Sequence, residues 1–412
     1  MLHHFIAHDE GLRMIPADRD HLTAAVEGLR AELRGLSGEE DADRRRVLSR
    51  WIGVGSVVLG DYAEARTLLR QALDLATASG NSHAAIATEI NLGDAYRYGG
   101  DADSADAFYR RALDMSRSRH PELVDFALQH YGKHLMERGE FAAARAHIQE
   151  ALQLRHAKGD AALIEATQSV MDRVELLISR AEEVQWSRQW TSWLQSHTTA
   201  RTPAGWEDGF PALREAVGGL TAHQRVQPRH LRAQFPVELL GAMTEEAEKA
   251  IAADGCLHNG KWNAAVGDAA HHFAAHADLA AVAARATGLN VEQPHTGVYI
   301  AYLEEGQFLD FHLDEFGFGE VNLILCLKHD RPTAAPTVSA TVFIGPSGYA
   351  ECALAPGDCV VFDGALTPHG RTPLGTGESV ILISFGFRAR DQALRGFPSA
   401  PPSPVSAQPQ PN

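Results

Sequence analysis

Three segments of this chain align without a gap: GDYAEARTLLRQALDLA from Gly60, GDADSADAFYRRALDMS from Gly100 and GEFAAARAHIQEALQLR from Gly139. Small residues recur at Ala65, Ala105 and Ala144 and again at Ala72, Ala112 and Ala151, with leucines at Leu73, Leu113 and Leu152. Seven residues before each leading glycine stands another, Gly53, Gly93 and Gly132. Each copy reads as helix, short Gly-Asp or Gly-Glu turn, helix. Two antiparallel helices approach closely only where one contact residue is Gly or Ala, and larger apolar side chains then fill the flanking space. A unit of this length cannot bury its own apolar face, so neighbouring copies must stack, and three copies meet the minimum for a stable array. Residues 20–35 offer a leading helix and residues 161–179 a capping one.

The spacing resembles the tetratricopeptide repeat, in a long variant with a period of 39 to 40 residues. That resemblance implies a helical solenoid over 1–181 with a concave surface. Such a surface suits a peptide, a carrier protein, a second protein or a second copy of the chain; stabilising the rest of the molecule is the alternative role. The formal net charge of −16 excludes partners without choosing one: it opposes sequence-independent binding to nucleic acid or to an anionic membrane. The basic run Arg44-Arg45-Arg46 reads as a solvated helix face. The four cysteines, Cys256, Cys326, Cys352 and Cys359, form no CxxC pair, and with no signal-like or membrane-length apolar stretch the expected location is the cytoplasm.

From 182 to 225 the repeat gives way to a segment crowded with Trp186, Trp190, Trp193 and Trp206. The first three have i, i+4, i+7 spacing, so one helix presents them as a stripe, expected to pack against the next domain. A helix is expected from Val237. Between 296 and 388 short β-branched and aromatic runs alternate with turns: GVYIAYL, QFLDFHLD, VNLILCLK, SATVFIG, DCVVFDG and SVILISFGF. Such punctuation predicts an antiparallel sandwich or barrel. The tail from 397 is rich in Pro and Ser and reads as disordered.

Within the β region lie His312, Asp314 and His369. His312 and Asp314, two apart on a strand-like run, share a face. With a second histidine from a later strand they make two imidazoles and one carboxylate, a set that suits iron(II) and leaves open positions. A cupin-like barrel with another metal or none is the competing reading. His272 and His276 have i, i+4 spacing but lack a third ligand and read as a helix surface. His3, His4 and His8 read as a frayed terminus.

From near Val226 to Arg388 the sequence resembles the prolyl-4-hydroxylase-like branch of the 2-oxoglutarate/Fe(II) oxygenases, most clearly in YLEEGQFLDFHLD, VNLILCLKHD and APGDCVVFDGALTPHGRTPLGTGES. The resemblance implies a double-stranded β-helix (jelly-roll, cupin-like) with flanking helices over 226–396. It also implies iron ligation by His312, Asp314 and His369, with 2-oxoglutarate and dioxygen as cosubstrates. Tyr302 corresponds to a tyrosine that helps hold 2-oxoglutarate. Where the family places an Arg or Lys after the distal histidine, this chain has Ser379. A buried dicarboxylate needs a cation, so another must serve: Arg371 first, Lys328 second, and Arg388 as the more distant choice. An acid at position 314 favours hydroxylation over halogenation, because halogenases of this fold carry a small residue there. The expected activity is hydroxylation of a peptide or protein-tethered amino acid, with a free small metabolite, or a barrel without activity, as alternatives.

Overall fold

The computed structural model describes residues 2–9, 11–38, 41–201, 211–224, 226–332, 338–345, 348–390 and 400–401. Trp206 and the Pro/Ser-rich tail beyond 401 lie outside the described residues. The chain divides into two compact units, Met1–Ser179 and Arg180–Asn412.

The first unit is helical apart from one hairpin. In chain order it contains β1 (Ile6–His8), β2 (Met14–Pro16), α1 (Arg19–Arg34), α2 (Ala42–Leu59), α3 (Tyr62–Ala78), α4 (Ser82–Tyr98), α5 (Ala102–Arg119), α6 (Val124–Glu137), α7 (Phe141–Lys158) and the start of α8 (Ala161–His197). Each paired helix meets its successor at a glycine. A Cβ on Gly53 would lie 2.6 Å from the Leu69 side chain, one on Gly93 would lie 2.4 Å from the Tyr109 ring, and one on Gly132 would lie 2.5 Å from Ile148. The six repeated alanines all have 0% exposure. The turn residues Gly60, Gly100 and Gly139 take φ of 91°, 82° and 76°, the left-handed cap that ends a helix without a Cβ clash. Asp61 and Asp101 then cap the next helices by accepting from Glu64 N and Ser104 N at 3.1 Å.

The N-terminus is not frayed. β1 and β2 pair antiparallel, and Leu2 is buried among Leu22, Val26, Leu48 and Ile52. Arg13 bonds Glu137 through two nitrogens, at 2.9 and 2.6 Å. The expectation of a frayed terminus at His3, His4 and His8 missed this, because the anchoring comes from a few apolar and bidentate contacts far away in sequence.

The second unit contains the rest of α8, α9 (Pro211–Thr221), β3 (Arg229–Leu231), α10 (Gly241–Asp254), β4 (Cys256–His258), β5 (Lys261–Ala265), α11 (Asp268–His276), α12 (Leu279–Thr287), β6 (Thr296–Tyr302), β7 (Leu309–His312), β8 (Val321–Asp330), β9 (Thr341–Gly345), β10 (Gly348–Cys352), β11 (Cys359–Phe362), β12 (His369–Arg371) and β13 (Ser379–Phe387). The strands form two antiparallel sheets, ordered β3-β11-β8-β13-β6-β5-β4 and β10-β9-β12-β7.

Alternation along the strands sorts side chains into three layers. Tyr299, Ala301, Leu323, Leu325, Ile381 and Ile383 face α10, α11 and α12. Ile300, Tyr302, Ile324 and Leu382 meet Leu309 and Phe343 between the sheets. On the far side of the small sheet Phe311, Leu313, Val342 and Ile344 pack under Trp186, Trp190 and Trp193. The tryptophan stripe thus belongs to the second unit's core, each ring contributing about 4 kcal/mol of gross apolar burial.

Candidate metal centre

The three predicted ligands meet between the two sheets. β7 and β12 are paired neighbours, and the register sets His369 directly opposite His312. Nε2 of His312 lies 3.6 Å from Asp314 Oδ1, and Nε2 of His369 lies 3.4 Å from Asp314 Oδ2. One ligand atom from each residue falls within 4.8 Å of the others, the one such cluster among the described residues.

Backbone carbonyls fix which nitrogen faces inward. His312 Nδ1 sits 3.1 Å from Asp310 O, and His369 Nδ1 sits 2.9 Å from Thr367 O. A proton on each Nδ1 is donated to its carbonyl, so each Nε2 presents a lone pair to the carboxylate. Acceptors then face acceptors across less than 4 Å, an arrangement that a cation between them relieves. The donor set therefore fits a divalent transition metal of the iron(II) kind. Burial pushes the His312 pKa down, with His369 adding to it, which keeps the imidazole neutral and ready to ligate.

Residues that sequence reasoning passed over hold Asp314 in place. Asn322 donates to Asp314 Oδ2 from β8. Asp314 N donates to Gly364 O at 3.0 Å, and a Cβ on Gly364 would lie 2.4 Å from Asp314 Oδ2. Behind the strand, Ser187 Oγ of α8 donates to Leu313 O and Asp314 O at 3.2 and 3.3 Å, and Leu313 N donates to Thr191 Oγ1 at 3.1 Å. The Asp310 carboxylate, two residues before His312, accepts from Thr199 Oγ1 and Ala200 N, both at 2.8 Å. Without an alignment, no local pattern marks these positions.

The cluster opens into a cavity of about 160 Å³ whose walls include Ile300, Tyr302, Leu309, Ile324, Arg371 and Leu382. Arg371 is 1% exposed. Its Nη2 donates to Ser339 O at 3.1 Å and its Nη1 to Thr341 Oγ1 at 3.5 Å, while Nε has no partner. The guanidinium carbon stands 5.1 Å from the centre of the Tyr302 ring. Burial lowers the Arg371 pKa and raises that of Tyr302. A second cation on the wall, Lys261, was not singled out from the sequence; burial lowers its pKa while Asp314 pulls it back.

The other candidates lie elsewhere. Lys328 does not reach the metal cavity: it pairs with Glu248 at 2.9 Å and Asp330 at 3.4 Å, and lines a separate hollow with Trp262 and Ser379. Its position on β8 explains the correction. A shift of register against β13 between Ile381 and Leu382 interrupts the alternation of β8 just before Lys328, whose side chain lies on the outer face. Ser379 shares that outer face, 3.4 Å from Asp330 Oδ2, and Arg388 is exposed. His272 and His276 stack on each other on the exposed face of α11 at 3.9 Å. Cys326, Cys352 and Cys359 are buried free thiols, and Cys256 is an exposed one.

Among the described residues no helix is long and apolar enough to cross a membrane. No curated protein matches the sequence. Among solved structures, a Pseudomonas putida prolyl-4-hydroxylase matches at 20% identity and a TM-score of 0.34, covering 43% of this chain and 99% of that one. The non-heme alpha-ketoglutarate-dependent epimerase SnoN of nogalamycin biosynthesis matches at 17% identity and 0.35, covering 43% and 83%. The apo form of RapI matches at 16% identity and 0.34, covering 38% and 44%. In the helical unit, residues 46–118 match the family model of the tetratricopeptide repeat.

Proposed function

We propose that the second unit is an Fe(II)- and 2-oxoglutarate-dependent oxygenase of double-stranded β-helix fold. In this reading it hydroxylates a C–H bond of a peptide or protein-tethered amino acid, which the repeat region helps to capture. The observation that carries the reading is the pairing of two features in one cavity: a convergent His312-Asp314-His369 cluster and a buried arginine with no carboxylate partner among the described residues.

Each side chain has a task in this reading. His312, Asp314 and His369 would hold the metal, with Nδ1 contacts and Asn322 fixing their orientation. Arg371, stacked on Tyr302, would take the far carboxylate of 2-oxoglutarate, with Nε still free to donate. The apolar walls Ile300, Ile324 and Leu382 keep water from the reacting groups. When bound, iron(II) with 2-oxoglutarate and dioxygen supplies the oxidising power for C–H hydroxylation.

Anaerobic titration of the full chain with iron(II) and 2-oxoglutarate tests the reading. The expected result is a visible charge-transfer band that His369→Ala removes. No band in the wild-type protein, or a band that persists in His369→Ala, would sink it.

A further inference from the structure

Among the described residues, Lys261 is the one cation on the cavity wall to which the reading above gives no task. Its placement is set by a tight hairpin. β4 and β5 pair with His258 opposite Lys261, leaving Asn259 and Gly260 as a two-residue turn with φ of 51° and 76°. Asn-Gly is the favoured sequence for a turn with both residues left-handed. The tip is seated against the chain: a Cβ on Gly260 would lie 2.3 Å from Phe308 O. The register aims the side chain. Trp262 lies opposite Ala301, and both pack in the layer under the helices. Lys261, one residue earlier, therefore points to the other face, that of Ile300 and Tyr302, and lines the metal cavity.

No carboxylate lies within ion-pair distance of its ammonium among the described residues. Lys328, by contrast, has both Glu248 and Asp330. A partly buried ammonium facing an apolar-walled cavity, with Asp314 acting on it only from beyond ion-pair distance, is a site for an anion. Charge arithmetic says which molecule brings it. Arg371 and Lys261 carry +2, Asp314 carries −1, and a divalent metal adds +2. The 2-oxoglutarate dianion takes this to +1, which one more carboxylate would neutralise. Arg371 is fully buried, whereas Lys261 is partly exposed. The deeper cation suits the cosubstrate, and the outer one suits a molecule that enters after it.

We propose that Lys261 forms an anion subsite for the substrate, which therefore carries a carboxylate, either the α-carboxylate of a free amino acid or the side chain of an acidic residue in a peptide. The assignment rests on the oxygenase reading and narrows its substrate class.

The test uses the full chain with iron(II) and 2-oxoglutarate under argon. It is titrated with free L-amino acids, with the same amino acids as C-terminal amides, and with the N-acetyl amides of aspartate and glutamate. The readouts are the charge-transfer band and the melting temperature. Carboxylate-bearing probes are expected to shift both, and amides that lack a carboxylate to shift neither. Lys261→Met should weaken that response by about tenfold or more, Lys261→Arg should keep most of it, and 2-oxoglutarate affinity should stay within about twofold in both. A response to free acids alone identifies the α-carboxylate; a response to the N-acetyl amides identifies the acidic side chain. Amides lacking a carboxylate that bind as well as acids, acids that bind Lys261→Met undiminished, or no response to any carboxylate would overturn the subsite while leaving the oxygenase reading intact. A wild-type protein with no band at all would overturn both.

Discussion

Two arginines, each 1% exposed, show how differently the two units use buried charge. In the helical unit Arg155 donates to Asp125 at 2.9 Å, to Thr167 Oγ1 at 2.6 Å, to Leu163 O at 3.2 Å and to Gln129. Its charge is answered, and Lys158 reaches the other oxygen of Asp125 at 2.5 Å. In the sheet unit Arg371 meets one carbonyl and one hydroxyl, keeps an unpartnered Nε and has no acid. A satisfied buried ion joins parts of the fold, and removing one partner leaves the other stranded. An unsatisfied one weakens the empty fold and makes sense where a ligand completes it.

Four measurements break or sharpen this contrast. The largest effect is expected at the metal: His369→Ala should cut iron(II) affinity by more than the roughly 100-fold that loss of an outer partner costs. Equilibrium dialysis reads it, and the repeat unit should melt unchanged. Next, Arg155→Met strands Asp125 with Lys158 alone and should cost about 3 kcal/mol, roughly a 10 °C fall in the melting transition, with metal binding intact. Third, Arg371→Met should leave stability within about 1 kcal/mol, or raise it, while weakening 2-oxoglutarate roughly 10- to 100-fold. If it unfolds the protein as Arg155→Met does, the contrast is wrong.

The smallest effect concerns Lys133, a buried lysine whose ammonium donates only to Leu12 O, at 3.5 Å. Burial, reinforced by Arg97, pushes its pKa down from 10.5 to about 8. Between those values the unfolded chain holds the extra proton, so stability rises with pH across the window. Below pH 8 the burial cost is fully present. Lys133→Met should then be the more stable protein at pH 7, with the two denaturation curves converging toward pH 10.5.

The repeat was legible in the sequence because its determinants are local and recur. Gly53, Gly93 and Gly132 mark the points where Leu69, Tyr109 and Ile148 press against the preceding helix. His312 and Asp314 were legible for a similar reason, since two residues on one strand face share a direction. What fixes the centre around them was not. Lys261 reaches the cavity only through the pairing of β5 with β6, and Asn322 reaches Asp314 from another strand. Lys328 was offered by resemblance alone, and an irregularity of register beside it leaves it on the outer face. Long-range pairing decides such matters, and one sequence carries no direct record of it.

The attachment of the acid ligand to α8 bears on how small a working fragment can be. Ser187 and Thr191 hold the backbone at Leu313 and Asp314, and the tryptophan stripe covers the reverse of the sheet that carries both histidines. Excision at residue 226, where the family-like stretch begins, would strip that wall and leave Phe311, Leu313, Val342 and Ile344 wetted. A minimal fragment that keeps this site has to start at or before Arg180, and one begun at residue 226 should precipitate or fail to retain metal.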